Sequence, residues 1–250
     1  RTRRHDQSQR TTIMPRQTLF ISDLHLDSTR PEIIQMFADF IASQALRCEA
    51  LYILGDLFEY WIGDDQPTPG MAPVFDAFDQ LKSHSIPTAF IHGNRDFLIG
   101  AQFAQRTGIR LLDSATCIDL YGEKTLIMHG DTLCTDDIEY QKMRQIFHNP
   151  AWKEQFLSLP IEERIKQAQA LRQKSKQETG TKSEQILDVN KNTVQRVMQT
   201  HGVRQLIHGH THRPAIHDFQ LDGAKAKRIV LGDWYHTGSV LVCTEDGSRL

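Results

Sequence analysis

Apolar residues along this chain fall into short runs, separated by stretches whose apolar positions recur every three to four residues. Thr18–Ser22 (T-L-F-I-S), Ala50–Leu54 (A-L-Y-I-L), Pro87–His92 and Thr125–His129 (T-L-I-M-H) are mostly apolar runs of strand length. Such runs predict strands buried on both faces. Pro31–Ala45 sets Ile33, Ile34, Phe37, Phe40 and Ile41 on one helical face, and Pro73–Leu81 does the same with Val74, Phe75, Phe78 and Leu81. Pro73 sits near a first turn, where a missing N–H is harmless. A hairpin is expected through Tyr121–Lys124. Strands alternating with helices predict an α/β body with a largely parallel, covered sheet.

The pattern changes from Asp136 to about His201. No convincing strand occurs there, and Gln, Lys, Arg and Glu dominate, with Pro150, Pro160 and Gly180 as punctuation. Several helices are expected. Strand signals return at Val203–His208, Ala215–Gln220, Lys227–Leu231 and Ser239–Thr244. The organisation expected is therefore a body formed by 14–135 and 202–250, interrupted by a helical insertion over 136–201. Residues 1–13 are polar and basic with no apolar stretch behind them, unlike a secretory signal. Met14 stands just before the first strand, so 1–13 are expected to be a disordered leader or added residues.

Composition narrows the functional classes. The chain has 250 residues and a formal net charge of -2. That length buries a core without staples. The near-neutral charge, and the lack of a basic stripe interleaved with aromatics, argue against a nucleic-acid partner. No apolar run is long enough to cross a bilayer. The four cysteines, Cys48, Cys117, Cys134 and Cys243, form no C-x-x-C pair. They read as buried thiols of a reducing compartment.

The chemistry lies where the strands end. The first runs into Asp23-Leu24-His25 and the second into Gly55-Asp56. The third runs into Gly93-Asn94-Arg95-Asp96, the fourth into His129-Gly130-Asp131, and a late one into Gly209-His210-Thr211-His212. Ligands of open α/β sheets bind outside the carboxyl ends of the strands. Each fragment alone is no more than a strand end or a turn. Together, in order, they deliver Asp23, His25, Asp56, Asn94, His129, His210 and His212 to one rim. Carboxylate, carboxamide and imidazole without thiolate suit Mn, Mg, Fe or Zn. Seven donors are too many for one ion and suit two sharing a carboxylate, with Asp56 the natural bridge. Two such ions activate water and neutralise phosphoryl oxygens, which points to phosphoester or phosphoanhydride hydrolysis. Arg95 is placed to grip a phosphate with its guanidinium fork. Catalysis is expected to depend on Asp56, Asn94, Arg95 and His129. His92 and His208 precede the glycines, and strand alternation turns them to the opposite face.

The ordered set D-x-H, G-D, G-N-R-D, a single His and G-H-x-H resembles the calcineurin-like metallophosphoesterase family. The motifs run from Asp23 to His212, most of the chain. The resemblance implies a two-sheet β-sandwich flanked by helices. It implies one ion on Asp23, His25, Asp56 and His212, and a second on Asp56, Asn94, His129 and His210. Leu51–Asp65, Phe90–Gly100, Met128–Asp137 and Leu206–Pro214 look like one group within the family, which splits the pyrophosphate of a diacylated UDP-sugar in lipid A synthesis using Mn²⁺. Most of the family has His where this chain has Arg95. A fixed cation there fits an anhydride, whose leaving group needs little help from a general acid.

The same resemblance makes the insertion a lid over the lipid part of the substrate. Trp152, Phe156, Leu157, Leu159, Ile161 and Ile165 would supply its apolar surface. Arg164, Lys166, Arg172, Lys174, Lys176 and Lys182 would meet phosphate or anionic headgroups. Substrate contacts carry over to Asn94, Arg95, Asp137, Ser175, Thr179, Lys182 and His210, with Tyr140 and Arg172 as further lid candidates. The expected setting is a monomer held peripherally on the cytoplasmic face of the inner membrane.

Overall fold

A computed structural model describes residues 16–250 apart from 182, 184 and 185; on 176, 178, 179 and 181 the backbone alone is described. The leader expected over 1–13 lies outside the described residues.

The first sheet contains β1 (Thr18–Ile21), β2 (Ala50–Ile53), β3 (Thr88–Phe90) and β4 (Arg110–Leu111), with β10 (Leu241–Thr244) and β11 (Gly247–Arg249) at its other edge. The second contains β5 (Ala115–Leu120), β6 (Glu123–Met128), β7 (Gln205–His208), β8 (Ala215–Leu221) and β9 (Ala224–Val230). The strand orders are β11-β10-β1-β2-β3-β4 and β5-β6-β7-β9-β8. The four strands β1 to β4 run parallel, as do β6, β7 and β9. Strands β5, β8, β10 and β11 are antiparallel to their neighbours, through the hairpins β5–β6, β8–β9 and β10–β11 and the pairing of β10 with β1. The single largely parallel sheet expected from the alternation is thus corrected to two mixed sheets, as the family resemblance implied.

Strand alternation assigns each side chain to a layer. Leu19, Ile21, Leu51 and Ile53 pack outward against α1 (Pro31–Ser43), α2 (Ala72–Ser83) and α3 (Ala101–Thr107), through residues such as Phe37, Phe78 and Phe103. Phe20 and Leu54 point inward, to meet Ile127, Ile207 and Ile229 of the other sheet. Leu126, Met128 and Leu206 face α7 (Lys191–His201) through Val194 and Met198. The order of layers is helix, sheet, sheet, helix. Burial on both faces is why the central strands read as unbroken apolar runs.

Among the described residues three α-helices lie between β6 and α7: α4 (Ile138–Phe147), α5 (Pro150–Leu157) and α6 (Ile161–Thr181). Asn149 caps α5 by accepting from Ala151 N and Trp152 N, and Asn190 caps α7 through Thr193 N. Of the helices expected over 136–201, α7 packs on the second sheet. Helices α5 and α6 instead pack on the first-sheet cluster through Trp152, Phe156, Leu159, Ile161 and Ile165, while Leu157 is exposed. All four cysteines are free. Cys48, Cys134 and Cys243 are buried, but Cys117, on the edge strand β5, is exposed.

Candidate metal centre

The registers Ile21↔Ile53↔Phe90 and Ile127↔Ile207 end the parallel strands at one level, so the loops that follow meet. Five of the seven predicted donors sit there with left-handed backbone: Asp23 (φ 56), His25 (φ 50), Asp56 (φ 51), His210 (φ 69) and His212 (φ 54). Non-glycine residues avoid this region, and such strain collects at functional sites. Gly55 has φ +88, and a Cβ there would lie 2.6 Å from both Gly93 N and His129 Nδ1. It lets the loops close on each other.

The donors form two clusters. Asp23, His25 and His212 each offer an atom within 4.8 Å of the others, and so do Asp56, His129 and His210. In the first, His25 Nε2 lies 3.4 Å from His212 Nε2, which is 3.3 Å from Asp23 Oδ1. Asp23 Oδ2 accepts from Ser22 Oγ and His210 N, while buried Oδ1 has no hydrogen-bond partner. In the second, Asn94 Oδ1 is 3.0 Å from His129 Nε2 and 2.9 Å from His210 Nδ1. Asp56 joins the two. Its Oδ1 accepts from Arg95 N, and its Oδ2 lies 3.8 Å from His25 Nε2 and 3.7 Å from His129 Nε2. The orphaned Asp23 oxygen and the imidazole nitrogens facing one another form a donor set that fits divalent metal.

The charges say the same. Burial opposes a charged imidazole, yet Asp56, Asp23 and Asp131 push His129 up to about 9. Burial, reinforced by His129, pushes His210 down to about 4. Burial also works against the Asp23 carboxylate, but His212, His129 and His25 hold it well below the usual range. A field that protonates a buried histidine attracts a metal cation for the same reason.

Two residues with structural work here were not singled out from sequence. Asp96 closes the G-N-R-D motif and is fully buried. It accepts from Gly93 N and Leu57 N at 2.9 and 2.7 Å, bracing both donor loops. Burial, then the Asp56 charge, raises its carboxyl to about 7 against those amides. Asp131 accepts from Tyr140 Oη at 2.8 Å and Arg144 Nε at 2.6 Å, tying α4 to the fourth strand end. Their signal was position within a motif. His92 and His208 lie behind the site as expected. His92 Nε2 donates to Ile99 O at 2.7 Å. His208 Nδ1 donates to Gly209 O at 2.8 Å and its Nε2 accepts from Arg228 at 3.1 Å.

A cleft of about 1120 Å³, partly open to solvent, runs from Asn94 and Arg95 under α4–α6. Its apolar wall is a column of rings. Phe97 stacks on Phe147 at 6.1 Å, Phe147 meets Trp152 at 4.8 Å, and Trp152 stacks on Phe156 at 5.0 Å. Its polar mouth holds Glu59, Asp137, Tyr140, Arg172 and Ser175. Arg95 Nε is buried there with no hydrogen-bond partner. Asp137 also caps α4, accepting from Tyr140 N. Arg172 Nη2 pairs with Glu59 Oε1 at 2.5 Å. Thr179 lies on α6, its side chain outside what is described; the Lys176 side chain and Lys182 also lie outside the described residues. Arg164 departs from the expectation that it meets phosphate or lipid. It is buried, bonded to Asp65 and to Ile62 O and Leu159 O, and fastens α6 to the second motif. Lys166 is exposed and paired with Glu163.

Residues 17–214 match the family described as calcineurin-like phosphoesterase. The chain is 51% identical over 233 residues to the UDP-2,3-diacylglucosamine hydrolase of Aeromonas salmonicida, covering 93% of this chain and 92% of that one. To the protein of the same name from Stenotrophomonas maltophilia it is 52% identical over 231 residues, covering 90% and 93%. A solved archaeal phosphodiesterase aligns with a TM-score of 0.45 at 12% identity, over 93% of this chain and 97% of that one.

Proposed function

The chain belongs to the calcineurin-like phosphoesterase family, and we propose that within it this protein is a UDP-2,3-diacylglucosamine hydrolase. It splits the pyrophosphate to give UMP and 2,3-diacylglucosamine 1-phosphate. The observation that carries this reading is a phosphoesterase centre opening directly into an aromatic cleft. The apolar rings that line that cleft suit acyl chains.

Asp23, His25, Asp56 and His212 would hold one divalent ion, and Asp56, Asn94, His129 and His210 the other; we assign Mn²⁺ to both. When bound, the ions supply Lewis-acid charge and lower the pKa of water towards roughly 7. Water attacks the α-phosphorus, the bond from that phosphorus to the bridging oxygen breaks, and the sugar 1-phosphate leaves. Arg95 offers an unsatisfied buried donor to the phosphoryl oxygens. Asn94 and His210 line the same point. Asp137, Tyr140, Arg172, Ser175, Thr179 and Lys182 would hold the polar part of the substrate at the mouth, under a lid built from the helical insertion.

Peripheral attachment to the cytoplasmic face of the inner membrane belongs to this reading. Ile138 and Ile146 on α4 are 62% and 53% exposed. No described helix is long and apolar enough to cross a bilayer.

The test is turnover of UDP-2,3-diacylglucosamine by chelated protein, with and without added Mn²⁺, in ¹⁸O-labelled water. Mn²⁺-dependent release of UMP carrying the label is expected. Label in the sugar phosphate would move the attack to the other phosphorus. Cleavage of a generic aryl phosphodiester without UMP formation would remove the lipid substrate.

A further inference from the structure

Two of the four candidate imidazole ligands have a carboxylate behind them. His25 Nδ1 lies 3.0 Å from Glu59 Oε2, and His212 Nδ1 lies 3.4 Å from Asp233 Oδ2. In both rings it is the opposite nitrogen, Nε2, that faces the cluster. The other side is built differently. His129 Nδ1 is 2.7 Å from the uncharged Leu54 carbonyl oxygen, while His210 turns Nδ1 to the same Asn94 oxygen that faces His129 Nε2, so that contact lies within the cluster and not behind it. Asp131, whose charge reaches both of those rings, is held by Arg144 and Tyr140.

We propose that Glu59 and Asp233 are positioning residues that make the Asp23–His25–His212 side the tighter of two cation sites, so that the centre loads in two steps with this side first. The inference rests on the two-cation reading of the site.

Two physical arguments agree. A carboxylate behind a ligating imidazole fixes its tautomer and orientation and raises its basicity; removing one typically loses about 10–100-fold in metal affinity. A backbone carbonyl orients the ring without adding charge. The formal charges are also unequal. Asp23, Glu59 and Asp233, with Arg172 paired to Glu59, belong to one side; Asn94 and Asp131, with Arg144 paired to Asp131, stand on the other; Asp56 is shared. Glu59 is buried and is fixed from its second oxygen by Arg172, so it is already in place before a cation arrives.

Chelated protein is titrated with Mn²⁺ while free Mn²⁺ is followed by its paramagnetic resonance signal. Two binding steps separated by roughly 100-fold or more are expected. Glu59→Gln and Asp233→Asn should each weaken the first step by about 10–100-fold and leave the second within about twofold. His210→Ala should remove the second step and keep the first. Thermal melting of the chelated variants checks that each is folded; Asp233, more exposed than Glu59, carries the test if Glu59→Gln does not fold. One class of equal sites, or substitutions that move the second step or neither, would overturn the proposal. An unsubstituted protein that binds no Mn²⁺ would overturn the two-cation reading itself.

Discussion

Oδ1 of Asp56 accepts the Arg95 amide, and Oδ2 is left facing one imidazole nitrogen of each cluster. Few residues in the chain affect so much with so few atoms. Asp56→Ala should lower turnover roughly a thousandfold or more, because several kcal/mol of charge stabilisation depend on both ions. Metal analysis should find fewer than two ions per chain, with far-UV circular dichroism unchanged; full activity would end the bridging assignment. His208 makes a different prediction. It donates to Gly209 O and accepts from Arg228, an arrangement only the neutral ring can make. Burial, then Arg228, pushes it down to about 3. Below an unfolded-state value near 6.5 the unfolded chain takes up a proton that the folded chain refuses, so stability falls as pH falls from about 6.5 towards 3. Between pH 6.5 and 5 the loss approaches about 2 kcal/mol. Urea unfolding of chelated protein at those two pH values should show a smaller loss in His208→Gln.

Elements were legible where their signals are local. The apolar faces of α1 and α2, the runs that became β1, β2 and β6, and the strand-free stretch before β7 all follow from periodicity within a dozen residues. Helix α3 did not announce itself, because its cap comes from far away. Asp64 accepts from Gly100 N and Phe103 N, 36 and 39 positions along the chain. Strands β4 and β11 are two and three residues long and take their conformation from their neighbours in the sheet. The role of Arg164 was hidden for a related reason. A basic residue on a mixed helix reads as solvated until the partner, Asp65, is seen 99 positions away. Arg164→Ala removes a charged donor from two carbonyls and should weaken docking of α6 by about 2 kcal/mol. Kinetics on the diacylated substrate should show a severalfold rise in KM, with cleavage of a small aryl phosphodiester unaltered. Equal losses on both substrates would place the damage in the centre instead.

At the scale of the whole molecule, two sheets pressed face to face bring their carboxyl ends to one rim, and the rim concentrates negative charge. Asp23, Asp56 and Asp131 all act on His129 there. Cations that bind only the folded chain stabilise it by mass action, about 2.7 kcal/mol for one site at a hundred times its dissociation constant. For a chain of this size that is roughly 5–10 °C in Tm. Calorimetry of chelated protein with and without Mn²⁺ should show at least that rise, and no shift would contradict a cation centre built by the fold.

The chemistry was written in the order of the residues: seven donors, each just past an apolar run, cannot be delivered to a parallel strand's end without approaching one another. The sequence alone therefore determined the candidate donors, the class of reaction and the helical character of the insertion, since all three rest on local periodicity and residue type. Only the tertiary structure decided what stands behind each donor, because that depends on contacts between residues far apart in the chain. It put Glu59 behind His25, Asp233 behind His212, and the Leu54 carbonyl behind His129. It also drew Arg164 out of the solvent and split one expected sheet into two, because strand pairing and ion pairs between distant residues leave no periodic trace.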